Sequence, residues 1–350
     1  MVFAHSQIRA GITENGKTPA CAVLRDTRPS AYPVEREWLP AAASPRGFPN
    51  TRLTSTRAVD LWRDIADQIG RATGRPFQAS APRAQGGGCI NQAFALTDGH
   101  ATWFVKTNDA KRLEMFEAEA DGLNALADSA SIAAPRALCT GTSGRHSFIV
   151  LEFLRLGRGD SDGWRTAGRQ LAELHRHHNP TFGWHRSNTI GATLQRNEPD
   201  PDWTAFWRDR RLGFQLEEAA RNGHGGRLQV LGEQLLARFP ALIDHNPQAS
   251  LLHGDLWGGN IGFTDSGAPA IYDPATYFGD REAELAMTEL FGGFSADFYA
   301  AYREAWPIDP GYRVRKTLYN LYHVLNHLNL FGGGYGGQAE RMMQELLAEC

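Results

Sequence analysis

Residues 251–273 read LLHGDLWGGNIGFTDSGAPAIYD and combine the acids Asp255 and Asp273 with the amide of Asn260. Asp255 is followed five residues later by Asn260, and Asp273 ends the stretch. The apolar runs IGF and AIY on either side of a Thr-Asp-Ser-Gly turn predict a β-hairpin. In such a hairpin Asn260 and Asp273 would be cross-strand neighbours, with Cβ atoms roughly 5 Å apart. The pattern therefore predicts two metal ligands that face one ion.

Two acids and an amide in this order indicate phosphoryl transfer. In the pattern H-x-D-x-x-x-x-N, Asp255 can accept the proton of an attacking hydroxyl, while Asn260 and Asp273 can hold the magnesium that bridges ATP phosphates. His253, at the head of the pattern, is interpreted as a structural hydrogen-bonding residue. An isolated HGD is more typical of a turn whose aspartate accepts from backbone amides. The full pattern favours a kinase.

The composition is that of an ordinary soluble globular chain. Its 350 residues, 42% hydrophobic and 21% charged, allow two packed lobes. Lys and Arg total 36 against 39 acids, without the basic excess of a nucleic-acid binder. No apolar run approaches the roughly 20 residues of a spanning helix, so we predict no membrane partner and a cytoplasmic location. The four cysteines lack C-x-x-C spacing, which argues against a disulfide scaffold or structural zinc.

Residues 1–57 form an extension that is rich in Arg, Pro, Ala, Ser and Thr and has little apolar periodicity. We predict that it is mostly disordered. An organelle transit segment and an over-extended gene start are two interpretations, although Asp26, Glu35 and Glu37 weaken the first. Ordered structure is expected to begin with a helix at Ala58.

The remaining chain predicts an α+β fold with two lobes. The first lobe, residues 58–153, should contain a small antiparallel sheet, with strands over 77–81, 90–96, 101–106 and 147–154 and a helix over 113–126. The larger second lobe, residues 154–350, should be mainly helical, with helices in 160–175, 204–221, 232–239, 281–291, 294–305 and 312–330.

Candidate ATP-binding residues lie in the first lobe. Gly86, Gly87, Gly88 and Cys89 fall between two strands, where backbone amides can approach phosphates, although a plain hairpin turn is the alternative. Lys106 ends an apolar strand, which is the place of a kinase's phosphate-binding lysine; a solvated strand end is the alternative.

Two further features of this lobe bear on ATP. We expect Glu119 to pair with Lys106, because it lies nearer the apolar stripe of its helix than the neighbouring glutamates. Glu152, Phe153 and Leu154 should cross between the lobes, where backbone groups contact the adenine edge. A surface charge is the alternative for Glu152.

The chain resembles the fructosamine kinase (ketosamine-3-kinase) family, a branch of the aminoglycoside phosphotransferase and protein-kinase-like fold, over about residues 58–350. The resemblance is carried by HGDLWGGN with YDPA, by FGWHRSNTIGATLQRN and by GDREAELAMTELFGGF. It implies ATP and Mg²⁺ as cofactors and transfer of the γ-phosphate to the third-carbon hydroxyl of a ketosamine, small or protein-bound, which promotes protein deglycation. It implies the same roles for the five residues Lys106, Glu119, Asp255, Asn260 and Asp273.

Substrate-binding residues are less clearly marked. Trp257, two residues after the expected base, could stack on the sugar, with a core tryptophan as the alternative. Asp280 and Arg281 could line the same cleft, with an ordinary helix N-terminus as the alternative. Cys89 is a redox candidate, because phosphate-facing amides and Lys106 favour a thiolate. We therefore expect a monomer or a redox-dependent homodimer, unless Cys89 is an inert residue facing the sheet.

Two other functions are alternatives. A related kinase could act on an aminoglycoside, choline or another small alcohol. A non-catalytic nucleotide-binding module would be expected to lack one of Lys106, Asp255, Asn260 or Asp273, and all four are present. The chain has Asp-Pro-Ala where protein kinases have Asp-Phe-Gly, and no Ala-Pro-Glu follows, so protein hydroxyls are disfavoured as acceptors.

Overall fold

The structure, a computed structural model, describes residues 55–86 and 90–350. The first sheet in this part has five antiparallel strands. Its strands are β1 Arg83–Gln85, β2 Gln92–Thr97, β3 Thr102–Asp109, β4 Ala137–Ser143 and β5 His146–Glu152. They lie in the order β1-β2-β3-β5-β4, with every neighbouring pair antiparallel. The strands predicted over 90–96 and 101–106 correspond to β2 and β3 and are therefore part of a wider sheet.

Two helices, α1 Ser55–Thr73 and α2 Leu113–Asp128, cover the sheet. Side chains of β5 alternate between them. Phe148 and Val150 join the core that includes the apolar face of α1, whereas Ile149 and Leu151 pack with α2. Because both faces of β5 are covered, residues 148–151 of the strand, FIVL, are all apolar.

Several predicted boundaries differ from the observed ones. The strand expected over 77–81 is absent: the Ser80 amide donates to the Thr97 carbonyl at 2.8 Å, but strand pairing starts only at Arg83. Strand β4 was not predicted, because ALCTGTS mixes small and polar residues and lies at the sheet edge. Helix α1 includes residues 55–57, which were assigned to the disordered extension. Residues 1–54 lie outside the described part, so their predicted disorder stays a prediction.

The rest of the chain is mainly helical. Its α-helices are α3 Ser161–Leu174, α4 Trp203–Trp207, α5 Phe214–Arg221, α6 Arg227–Arg238, α7 Arg281–Leu290, α8 Ala296–Ala305, α9 Tyr312–Phe331 and α10 Tyr335–Ala348, and a π-helix, Arg208–Gly213, joins α4 to α5. Most of these agree with the predicted helices, and α10 corresponds to the terminal helix expected after the glycine run 332–337, for which no range was predicted. Among the described residues, no helix combines the length and apolar character needed to cross a bilayer.

Short strands lie between these helices and carry the loops of this part of the chain. They are β6 His178–Asn179, β7 Asn188–Ile190, β8 Thr193–Gln195, β9 Ala249–Leu252, β10 Ile261–Phe263, β11 Pro269–Ile271 and β12 Tyr277–Gly279. Strands β12, β9 and β6 form one sheet, whereas β7-β8 and β10-β11 are hairpins. All four residues of β9 are buried, and this strand leads directly into His253. The loop after β9 therefore starts from a fixed point in the core.

A truncation tests whether the extension is dispensable for activity. A chain that begins at Leu53 is expected to retain activity, because residues 1–52 contain none of the motif residues. A chain that begins after Thr73 is expected to be insoluble, because Leu61, Ile65 and Ile69 are at most 3% exposed. Soluble yield and turnover of both chains are the measurements. Loss of soluble, active protein in the first truncation would show that the extension packs on the folded part.

Candidate active site

The loop that carries Asp255 is fixed to the loop that carries Asp273 through backbone and histidine contacts. Gly254 has φ +84°, and a Cβ there would lie 2.1 Å from the carbonyl oxygen of Ala275, so only glycine fits. Buried His253 donates from Nε2 to the carbonyl of Tyr272 at 2.8 Å and accepts at Nδ1 from the Asp255 amide at 3.2 Å. Burial lowers the pKa of His253, which agrees with this neutral form. His253 is thus placed as a structural residue.

A buried carboxylate supports the same loop from below. Glu284 of α7 accepts from the backbone amide of His253 at 3.1 Å and from that of Gly254 at 2.7 Å. It also accepts from Nε2 of His175 at 3.0 Å, and the hydroxyl of Tyr302 lies 2.8 Å from His175 Nδ1. Burial opposes the charge, but the His175 hydrogen bond and the backbone amides keep the pKa of Glu284 below its usual value. Sequence reasoning missed Glu284.

Asn260 lies between the two acids. Its Nδ2 donates to the carbonyl oxygen of Asp255 at 2.9 Å, to the Asp255 carboxylate at 3.3 Å and to the carbonyl of Asp273 at 3.4 Å. Burial, followed by the charge of Asp273, raises the pKa of Asp255 well above its usual value. Because the amide nitrogen is fully used, the Oδ1 atom of Asn260 is left as its available ligand atom.

Asp273 reaches the site by a different route from the predicted one. Ile261 pairs with Ile271, and the amide of Tyr272 donates to the carbonyl of Asn260 at 3.1 Å. The cross-strand neighbour of Asn260 is therefore Tyr272, and the prediction of Asp273 at that position is wrong by one residue. Asp273 has φ +58°, a left-handed backbone conformation that aspartate adopts more readily than most residues. This turn brings its carboxylate toward Lys106.

Lys106 joins three elements of the site. This buried side chain on β3 lies 2.5 Å from Oε1 of Glu119 on α2 and also contacts the Asp273 carboxylate. Burial alone would lower the pKa of Lys106, but the two carboxylates outweigh it and raise the pKa. The predicted partner Glu119 is therefore in contact with Lys106. The lysine also links the five-stranded sheet to the loop after β11.

The remaining predicted ATP-binding residues are placed in part. Gly86 is exposed, whereas Gly87, Gly88 and Cys89 lie outside the described residues. The Glu152 carboxylate accepts from the backbone amide of Arg136 at 3.0 Å, so this side chain stabilises a strand end. Phe153 and Leu154 are half-buried and follow β5 without strand pairing. Their contact with adenine stays a prediction.

The structure corrects the interpretation of Asp280 and shows the contacts of Arg281. Asp280 is 2% exposed, caps α7 by accepting from the Glu282 amide, and accepts from the Tyr319 hydroxyl at 2.6 Å. Arg281 stacks over the ring of Trp306 at 4.2 Å. Asp280 is thus used inside the core at the start of α7, so the prediction that it lines the substrate cleft is wrong, whereas for half-buried Arg281 it stays a prediction. The partners of both residues are distant in sequence, so local patterns do not reveal them.

Trp257 is 40% exposed and folds back over the loop that contains Asp255. A Cβ at Gly259 would lie 2.3 Å from its indole, so the glycine permits this close approach. Phe291 meets Trp257 edge-on at 6.4 Å and stands 4.7 Å from the ring of His327. Trp257, Phe291 and His327 therefore form a row of partly exposed aromatic rings next to the loop that carries Asp255. Sequence reasoning found Trp257 but missed Phe291 and His327.

The available ligand atoms suit magnesium. The Oδ1 atom of Asn260 and the carboxylate of Asp273 are hard oxygen donors, which Mg²⁺ prefers, and the half-exposed Asp273 side chain leaves room for further ligands. A second group, His245, Asp280 and Glu282, has ligand atoms within 4.8 Å of one another. Its carboxylates already accept from His245, Tyr319 and the buried Arg315, which supplies the positive charge there.

A small antiparallel sheet over a larger helical part, with a lysine-glutamate pair facing an aspartate, an asparagine and a second aspartate, defines an ATP-dependent phosphotransferase of the protein-kinase-like fold. The chain belongs to the fructosamine kinase family, whose model matches residues 61–349. The predictions of family, fold and enzyme class are confirmed.

Relatives and solved structures agree with this placement. The chain is 48% identical over 287 residues to a probable ketoamine kinase of Synechocystis, covering 82% of this chain and 97% of the relative. It is 40% identical over 282 residues to a chloroplastic protein-ribulosamine 3-kinase of Oryza sativa subsp. japonica, covering 78% and 81%.

Two solved structures show the same fold. A putative fructosamine-3-kinase from Haemophilus somnus has a TM-score of 0.77 at 29% identity and covers 83% of this chain and 99% of its own. An aminoglycoside phosphotransferase in complex with AMP-PNP and hygromycin B has a TM-score of 0.55 at 15% identity, covering 82% and 98%. At that identity the second likeness concerns the fold alone.

Proposed function

We propose that this protein is an ATP-dependent ketosamine 3-kinase. It transfers the γ-phosphate of ATP to the third-carbon hydroxyl of a ribulosamine or fructosamine, small or protein-bound, and so promotes deglycation. The observation that carries the proposal is the connected group formed by Lys106, Glu119, Asp255, Asn260 and Asp273 in a chain of this family.

In the proposed mechanism, each residue of that group has one task. Asp255 accepts the proton of the attacking hydroxyl, and its raised pKa suits a base for that step. Lys106, held by Glu119, stabilises negative charge on the ATP phosphates. Asn260 and Asp273 would hold Mg²⁺, which when bound neutralises charge on the transferring phosphoryl group.

A substrate panel tests the proposal. The protein is incubated with Mg-ATP and with ribulosyl-amines, fructosyl-amines, choline or kanamycin, and ADP release and the phosphorylated product are measured. Turnover is expected with the ketosamines. Turnover with choline or kanamycin in place of the ketosamines would overturn the proposal in favour of a related small-alcohol kinase, and ATP binding without turnover on any acceptor would favour a non-catalytic module.

We further propose that Trp257 stacks on the sugar. Trp257→Ala is expected to raise KM for the best ketosamine about tenfold, a loss of about 1.4 kcal/mol, with a smaller effect on kcat. Val230→Ala is the matched control, because Val230 is an exposed apolar residue on α6. An unchanged KM in Trp257→Ala would show that the indole only covers the loop beneath it.

The redox behaviour of Cys89 stays a prediction, as does the choice between a monomer and a redox-dependent homodimer. We expect peroxide to inhibit the wild type reversibly and to spare Cys89→Ala. Cys139→Ala is the control, because burial raises the pKa of the Cys139 thiol to about 11 and so disfavours its reactive form. Equal inhibition of wild type and Cys89→Ala, measured before and after a thiol reductant, would contradict the prediction.

A cytoplasmic location, with organelle targeting by the extension as the alternative, is likewise still a prediction.

A further inference from the structure

The segment of residues 182–200, which contains SNTIGATLQ, has no task in the mechanism above. Its two ends are tied together by backbone hydrogen bonds. Phe182 and Asp200 exchange bonds of 2.9 and 3.1 Å, and the Trp184 amide donates to the Asn197 carbonyl at 2.8 Å. Strands β7 and β8 form a hairpin inside it. The 182–200 segment is therefore a closed loop whose two ends are held together by hydrogen bonds.

One side of the 182–200 segment holds the chain just after Asp273. Asn188 donates from its side-chain amide to the Thr276 carbonyl at 2.8 Å, and Gln195 donates to the Ala275 carbonyl at 2.9 Å. Gln195 also donates to the Asn188 side chain at 2.9 Å, and both side chains are buried. Two buried amides thus fix the backbone that follows the proposed metal ligand.

The other side of the segment holds α2. Arg186 donates to the Asp121 carboxylate at 2.8 Å and to that of Glu117 at 3.5 Å. These two acids are four residues apart and therefore share one face of the helix. Glu119 lies midway between them in sequence, which places it about 200° around the helix from Glu117. Arg186 therefore binds α2 on the side of the helix that faces away from Lys106.

Helix α2 also rests directly on the loop after Asp273. A Cβ at Gly122 would lie 2.7 Å from Oγ1 of Thr276, so the helix backbone approaches that loop as closely as glycine allows. Thr276 is the residue whose carbonyl Asn188 holds. Helix α2, the loop after Asp273 and the 182–200 segment therefore form one closed circuit of contacts.

We propose that Arg186 is a positioning residue for the nucleotide site. It holds α2 where Glu119 meets Lys106, so that the lysine is ready for ATP without a separate activation step. The inference rests on the proposed roles of Lys106 and Glu119. The 182–200 segment carries part of the family resemblance, and the proposal gives this segment a function.

Arg186→Ala and Arg136→Ala test the proposal as a matched pair. Arg136 also pairs with an acid of α2, Asp128 at 2.7 Å, but at the end of the helix far from Glu119. The readout is the Kd of a non-hydrolysable ATP analogue, which needs no acceptor and is therefore separable from the proposed ketosamine activity. Arg186→Ala is expected to raise this Kd about three- to tenfold, whereas Arg136→Ala leaves it within about twofold. Arg186→Lys should restore most of the affinity.

A double variant separates positioning from a general structural effect. If Arg186 acts through Glu119, Arg186→Ala adds no further loss of ATP affinity in a Glu119→Gln background. Faster amide hydrogen exchange across α2 in Arg186→Ala, but not in Arg136→Ala, is also expected. The same fold-loss in both backgrounds, or equal effects of the two arginine variants, would overturn the proposal. A failure to phosphorylate ketosamines would leave this binding test unaffected.

Discussion

Asp255→Asn is expected to lower turnover by about two to four orders of magnitude while leaving ATP binding nearly intact. Asparagine keeps the shape of the side chain but cannot accept the proton of the attacking hydroxyl. The Asp255 carboxylate touches Asn260 but not Lys106, so the contacts of the lysine should survive. The measurements are kcat on the best ketosamine and the Kd of an ATP analogue.

Two other variants serve as controls for Asp255→Asn. Asp265→Asn changes an exposed aspartate in the turn of the β10-β11 hairpin and should leave both kcat and the Kd of the ATP analogue unchanged. Asp273→Ala should instead weaken Mg-ATP binding, because it removes a proposed metal ligand and a partner of Lys106. Near wild-type turnover in Asp255→Asn would show that another group takes the proton.

Glu284→Ala is expected to have the largest effect on stability. Removing this carboxylate leaves His175 and the amides of His253 and Gly254 buried without their acceptor. Breaking a buried charged network by deleting one partner costs about 3 to 5 kcal/mol of unfolding free energy. Any protein that folds should also have low turnover, because the loop that carries Asp255 loses its support.

Urea unfolding of Glu284→Ala measures this loss. Glu173→Ala is the control, because Glu173 forms only an exposed ion pair with Arg176 and should change the unfolding free energy by less than about 0.5 kcal/mol. Glu284→Gln should fall between the two, since glutamine keeps one acceptor but sets an amide group against a backbone N–H. A loss below about 1 kcal/mol in Glu284→Ala would contradict the role of this side chain.

The sequence revealed the core of the site because its signals are local. Asp255 and Asn260 are five residues apart on one loop, and Lys106 is a lone charge in an apolar strand. The exact pairing of Asp273 was missed because the hairpin turn closes one residue earlier than the apolar runs indicate, and a shift by one residue changes the neighbour. The left-handed turn at Asp273 restores the arrangement.

Features that depend on distant partners could not be read from the sequence. Glu284 lies among apolar residues of α7, and its importance appears only when His175 and the loop after β9 meet it. Asp280 looked like a cleft residue until Tyr319 and His245 covered it. Strand β4 was missed because its weak apolar pattern forms a strand only by pairing with β5.

The left-handed backbone of Asp273 bears on how genes of this type can change. Asparagine tolerates that conformation nearly as well as aspartate, and the codons of the two residues differ by a single base. A lineage freed from selection for catalysis could therefore lose its negative charge at this position without losing its folded shape. Among catalytically inactive descendants, we expect asparagine at this position to arise more readily than a bulky or β-branched residue.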